Sequence, residues 1–190
     1  MYLRAYPSGF FPSFSIEKTE ILCYTEYMNE RFLPIGIQDF EDLRTRKCIY
    51  VDKTDFIYKL SYEGKPYFLS RPRRFGKSLL LSTMEYYFLG RKDLFTGLAL
   101  EKLEENSDNP WTKYPVLKIS FGLGSYEDNE KLVSMMDYIL KQNEEKYGIE
   151  KNSDNPATRL SELISKLYKK TGKKVVILID EYDKPILDAL

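Results

Sequence analysis

Gly76-Lys77-Ser78, reached through Arg71-Pro72-Arg73-Arg74-Phe75, combines three features that a phosphate group needs. A glycine lets the main chain approach a ligand, an ammonium supplies positive charge, and a hydroxyl can ligate a metal ion. Asp180-Glu181, at the end of the run Val175-Val176-Ile177-Leu178-Ile179, supplies the complementary chemistry. One carboxylate can hold a divalent cation and the other can take a proton from water. Together they predict a nucleoside triphosphate site. Arg73, Arg74, Phe75, Gly76, Lys77 and Ser78 form its cofactor-binding loop, with Lys77 reaching the β- and γ-phosphates. Ser78 and Asp180 hold Mg²⁺, and Glu181 orients and deprotonates an attacking water; Lys77 and Glu181 are the catalytic pair. Each half has a plainer reading, a surface turn for Gly-Lys-Ser and a helix-capping acidic pair for Asp-Glu. The arginines read equally as phosphate contacts or solvated loop charges.

The 190-residue chain is long enough for one domain, or one domain and an extension, with a real core. Its 29 Lys and Arg balance 29 Asp and Glu, so bulk charge lends nucleic-acid binding no support, although Arg71 to Arg74 form a local basic patch. The sequence has no histidine, which excludes a Ser/His/Asp triad, a His base and His metal ligands. Cys23 and Cys48 make neither a disulfide framework nor a zinc site. No apolar run approaches the ~20 residues of a membrane span, and no apolar signal core follows the N-terminus. The expected compartment is the cytoplasm, with no membrane partner.

The elements that must position these residues follow from periodicity and punctuation. Residues 1–32 read as an irregular leader, with a short helix through Glu20 to Arg31. Cys48 to Val51 is a strand candidate, and Asp52 or Thr54 could cap a helix carrying Phe56, Ile57 and Leu60. Tyr67 to Ser70 reads as the strand entering the loop. Leu80, Met84, Tyr87 and Phe88 recur at helical spacing after it, with Gly90 as a C-terminal stop. A helix or turn follows near Asp93 to Leu103. Val116 to Phe121 is a strand, and helices are predicted over about Glu127 to Tyr147 and Pro156 to Lys170. Trp111 reads as a core or boundary anchor. The Val175 to Ile179 run predicts a strand buried on both faces, as in a parallel sheet. Alternating strands and helices define an α/β domain, with Ser70/Arg71 and Asp180/Glu181 both at strand C-terminal ends, where such sheets bind ligands.

Four separated stretches carry a resemblance: Leu33-Pro34-Ile35-Gly36-Ile37-Gln38-Asp39-Phe40, Tyr50-Val51-Asp52-Lys53-Thr54, Arg71 to Ser78, and Leu178-Ile179-Asp180-Glu181-Tyr182-Asp183-Lys184-Pro185. In this order they resemble the AAA-ATPase-like family of bacterial proteins, over about Leu33 to Leu190. The phosphate-loop consensus opens with glycine; Arg71 stands there instead, and the Arg-Pro-Arg-Arg-Phe opening is how this family writes its loop. The resemblance implies ATP and Mg²⁺ as ligands, with Lys77, Ser78, Asp180 and Glu181 in the roles given above. It also implies a C-terminal nuclease-like domain of the restriction-endonuclease type in many members. A further strand, placed after the Asp180-Glu181 strand in sequence, would insert between that strand and the phosphate-loop strand. Since this sequence stops at Leu190, that strand, its sensor residue, an arginine finger and the nuclease-like domain are expected to be missing, as in a fragment.

The expected architecture is therefore an α/β, P-loop NTPase-type parallel sheet flanked by helices and incomplete at the C-terminus, with a leader over 1–32 and the domain over 33–190. The expected function is ATP binding, with Mg²⁺-dependent hydrolysis in the complete protein. Its alternatives are a nucleotide-binding module or fragment without turnover and, ranked last, a P-loop phosphotransferase. The adjacent Asp180-Glu181 pair favours water as acceptor, and no arginine-rich lid is evident. Expected partners are the nucleotide, the nuclease-like domain and further copies of the chain.

Overall fold

The computed structural model describes residues 32–189 other than Arg71 and Arg73. The helix predicted over Glu20 to Arg31, and Arg71 and Arg73 themselves, lie outside the described residues. The first two described helices, α1 (Phe40–Thr45) and α2 (Thr54–Glu63), each have an aspartate just ahead of the first turn. Asp39 accepts a hydrogen bond from the Asp42 amide at 3.0 Å, and Asp52 Oδ1 accepts from the Thr54 amide at 2.9 Å. Such bonds satisfy amides that a helix start otherwise leaves without partners. Asp52 also serves a later helix, α4 (Ala99–Glu105). Its Oδ2 accepts from the Ala99 amide at 2.7 Å, while Thr54 Oγ1 accepts from the Leu100 amide at 3.0 Å. Between them run α3 (Lys77–Phe88) and a 3₁₀ turn, Lys92–Phe95.

Two strands follow the helical half: β1 (Val116–Ser120) and, after α5 (Asn129–Tyr147) and α6 (Pro156–Thr171), β2 (Val176–Asp180). The chain then turns into α7 (Lys184–Asp188). Asp128 and Asn155 cap α5 and α6. The strands pair in parallel from Val116↔Val176 to Ser120↔Asp180, giving an α/β structure with a small two-stranded sheet flanked by helices. A parallel connection needs a long crossover, which α5 and α6 supply.

Two apolar clusters hold the layers together. Phe40, Ile57, Tyr87, Leu94, Phe95, Leu98 and Leu100 join α1 to α4 with the 3₁₀ turn, and Trp111 packs against them as an anchor. Leu117 of β1 joins Leu140 of α5 and Leu163 and Leu167 of α6. Each fully buried leucine contributes about 1.5–3 kcal/mol. Arg159, 3% exposed, ties α6 to α5 through both Glu144 oxygens and Asp137. Removing one partner of such a buried pair costs about 3–5 kcal/mol, because the other charge stays buried alone.

Three strand expectations need correction. Tyr67 to Ser70 is in no sheet, and Tyr67 and Phe68 are exposed. A ladder needs a neighbour about 4.8 Å away, and no strand lies beside this segment among the described residues. Cys48 to Val51 amounts to a single parallel bridge, Phe32↔Cys48, with Val51 exposed. β2 is not buried on both faces: Ile177 and Ile179 are 41% and 47% exposed, and only Leu178 is buried. The in-register pairing puts those isoleucines on the same side as Leu117 and Ile119, where α5 packs on β1 and leaves β2 half covered. Boundaries elsewhere moved by a residue or two, the Asp93 to Leu103 region divides into the 3₁₀ turn and α4, and the short helices α1 and α7 stand where the sequence pattern predicted no element.

Candidate functional site

The loop ends at Gly76, whose φ of +75° is a conformation that glycine adopts without strain. Nothing lies within 4 Å of where a Cβ would stand there, so the backbone turn, and not crowding, is what calls for glycine. Directly after it, Lys77 and Ser78 form the first turn of α3, and no side chain caps that turn. Uncapped amides and the positive end of the helix dipole suit an anion. Among the described residues the Lys77 ammonium has no hydrogen bond or ion pair. Arg74 and Phe75 are exposed, and Arg74 holds a left-handed φ of +66°.

α3 is fixed from three sides, by polar contacts that the sequence pattern did not single out. Buried Ser82 donates to Asp39 Oδ2 at 2.9 Å and accepts from the Phe40 amide at 2.8 Å, and the Tyr86 hydroxyl donates to the same Asp39 oxygen at 3.2 Å. Burial works to raise the Asp39 carboxyl, but the Asp42 amide and the Ser82 and Tyr86 hydroxyls outweigh it and hold the group below its usual range. Glu85 takes Lys118 of β1 at 2.8 Å and Lys146 of α5 at 3.8 Å. The Tyr87 hydroxyl donates to buried Glu104 of α4 at 2.7 Å, and burial pushes that phenol well above its ordinary value. Ser78, Ser82 and Tyr86 recur every four residues, so the face that α1 grips also carries Ser78. That polar period along the helix was the available signal.

Asp180 and Glu181 stand at the C-terminal end of β2, against which α3 packs. Asp180 Oδ1 accepts from the Glu181 amide at 3.0 Å, and Glu181 has φ +49°. Lys47, Arg74, Trp111 and Glu181 are the described non-glycine residues at positive φ, and two of them are predicted site residues. Left-handed backbone costs roughly 1–2 kcal/mol for such residues and tends to persist where function requires it. The chain entering the loop and the chain leaving β2 meet through the Phe68 and Tyr182 rings, edge to face at 5.2 Å. The structure thus packs the helix bearing Lys77 and Ser78 on the strand bearing Asp180, while Arg73 lies outside the described residues.

Among the described residues no group of three or more Cys, Asp or Glu is arranged to hold a metal by itself. Mg²⁺ usually takes one or two protein ligands and completes its shell with phosphate oxygens and water. A hydroxyl, a carboxylate and an uncapped helix start fit an ion that arrives with a nucleotide. No described helix is long and apolar enough to cross a membrane.

No solved structure matches the chain. A protein of Azotobacter chroococcum mcd 1, described as an uncharacterized protein in the vnfD 5' region, is 44% identical over 165 residues, covering 86% of this chain and 31% of that protein. The chain spans less than a third of that relative's length. The model of the AAA-ATPase-like family, described as "Predicted AAA-ATPase", matches residues 34–190, a span that takes in the loop, the α1 grip on α3 and the Asp180-Glu181 turn. The chain belongs to this AAA-ATPase-like family.

Proposed function

We propose that residues 33–190 form a P-loop NTPase-type domain that binds ATP with Mg²⁺ and, in the complete protein, hydrolyses it. The observation that carries this reading is the Gly76 turn launching an uncapped helix, with Lys77 unpaired among the described residues, packed on the strand that ends in Asp180. Family membership supports ATP as the nucleotide. The amides of Arg74 to Ser78 would cradle phosphate oxygens, with Arg73 at the loop's entry, and Lys77 would neutralise charge on the β- and γ-phosphates. Ser78 and Asp180 would hold Mg²⁺, which when bound supplies charge neutralisation at the same oxygens. Glu181 would orient water and take its proton as the water oxygen bonds to the γ-phosphorus. The bond from that phosphorus to the bridging oxygen breaks, and its electron pair leaves with ADP. A cytoplasmic location, coupling to a nuclease-like domain and assembly with further copies belong to the same proposal.

The test measures ATP binding and hydrolysis separately on the purified chain. Lys77→Ala is expected to abolish binding, and Glu181→Gln to keep binding while removing turnover. Undiminished hydrolysis by Glu181→Gln would overturn the role given to that residue. Binding without turnover in the unmodified chain would favour a nucleotide-holding module instead.

A further inference from the structure

We infer that Gly122, in the loop between β1 and α5, is a positioning residue for Glu181: its missing side chain is the seat of the Glu181 carboxylate. A Cβ built on Gly122 would stand 2.6 Å from Glu181 Oε2 and 3.2 Å from its Cδ. Gly122 has no positive φ, so backbone conformation does not call for glycine there. Space does. The seat is held in place from both sides. The Gly122 amide donates to Ser120 Oγ at 3.4 Å, at the end of β1, and the Phe121 amide donates to the Asp180 carbonyl at 3.2 Å. The loop therefore continues the β1–β2 ladder past the sheet and lies beside the Asp180-Glu181 turn.

Gly124, two residues on, shows why Gly122 acts on function more than on stability. A Cβ at Gly124 would fall 2.2 Å from Cζ of Tyr126, a side chain buried to 2% exposure whose hydroxyl donates to the Phe121 carbonyl at 2.9 Å. That ring cannot move without undoing the loop. The group in the way at Gly122 is the free end of an exposed glutamate, which can rotate aside at little energetic cost. Alanine at 122 should thus leave the fold intact and move the carboxylate. A displacement near 1 Å of a reacting group costs on the order of 10²-fold in rate.

This inference rests on the hydrolytic reading for its kinetic consequence but not for its geometry, and the experiment separates the two. Gly122→Ala is made in the full chain with and without Glu181→Ala, and ATP affinity, hydrolysis and thermal unfolding are measured with Mg²⁺ present. Expected is a fall in kcat of roughly 10- to 100-fold, with KM and thermal midpoint nearly unchanged and no further fall when Glu181 is already alanine. Glu181→Asp, one methylene shorter, should recover part of the loss in the Gly122→Ala protein while impairing the unmodified one. The Glu181 carboxyl ¹³C resonance, identified by its disappearance in Glu181→Gln, should shift in Gly122→Ala. An unmoved resonance overturns the seat, whether or not the chain turns over ATP. A shifted resonance in a chain that binds but never hydrolyses ATP supports the seat and counts against hydrolysis instead.

Discussion

Glu181 carries a backbone cost as well as a carboxylate. Its φ of +49° lies where a side chain is disfavoured, and no turn residue such as Gly or Asn relieves it. Glycine would adopt the same conformation freely, less the entropy it loses from the unfolded chain. Glu181→Gly is therefore expected to be about 1 kcal/mol more stable than Glu181→Ala, measured by urea unfolding, although both lack the carboxylate. Equal stabilities would show that this turn stores no strain. Arg74, at φ +66°, presents the same cost in the loop. The residue types at both positions were legible in the sequence. Their left-handed backbone was not, since the sequence marks that conformation reliably only where glycine occupies it.

Between elements, Asp39 accounts for the grip of α1 on α3. Its carboxylate receives the Asp42 amide and the Ser82 and Tyr86 hydroxyls, which hold its pKa below the ordinary carboxylate range. A depressed native pKa means the ionised group contributes stability that is complete above the unfolded value and is lost as pH falls through the native one. The contribution should hold from neutral pH to about pH 4 and fade below it. Asp39→Asn is expected to be less stable than the parent by a constant margin between pH 5 and 8, and the margin should narrow in acid unfolding below about pH 4. A margin that stays constant into strong acid would mean packing, and not ionisation, is what the substitution disturbs. The longer helix spans, Asn129–Tyr147 and Pro156–Thr171, were read well from the sequence because apolar periodicity and local stops act over a few residues, whereas the short helix after Asp39 was not anticipated. The clamps on α3 join residues distant along the chain, as with Asp39 and Ser82, 43 apart, and local patterns do not name such partners.

Across the whole molecule, the two sheet edges are treated differently. On the far side of β1, the Tyr147 hydroxyl bonds the Val116 amide at 2.7 Å and its carbonyl at 2.9 Å, and Asn143 donates to the Lys118 carbonyl at 3.3 Å. One turn of α5 thus occupies the main-chain groups of an edge strand, a recognised way of blocking further pairing. β2 spends Val176 and Asp180 on β1, and the two-residue alternation of a ladder turns the amides of Ile177 and Ile179 to the other edge. That edge has no strand beside it among the described residues. Amide hydrogen exchange should therefore alternate along β2, slow at Leu178 and Asp180 and fast at Ile177 and Ile179. Uniform protection would show that another segment pairs there in solution. The amino-acid order determined where the loop and the Asp180-Glu181 pair fall, the longer helices and the parallel pair, because spacing, caps and β-branched runs act over a few residues. Pairing and burial were settled in three dimensions. Tyr67 to Ser70 has strand chemistry but no neighbouring strand among the described residues, β2 has a core-strand sequence with one open face, and Gly122 gains its meaning only from the Glu181 side chain folded over it. A strand or a seat is defined by its neighbour, and neighbours distant along the chain are chosen by the fold.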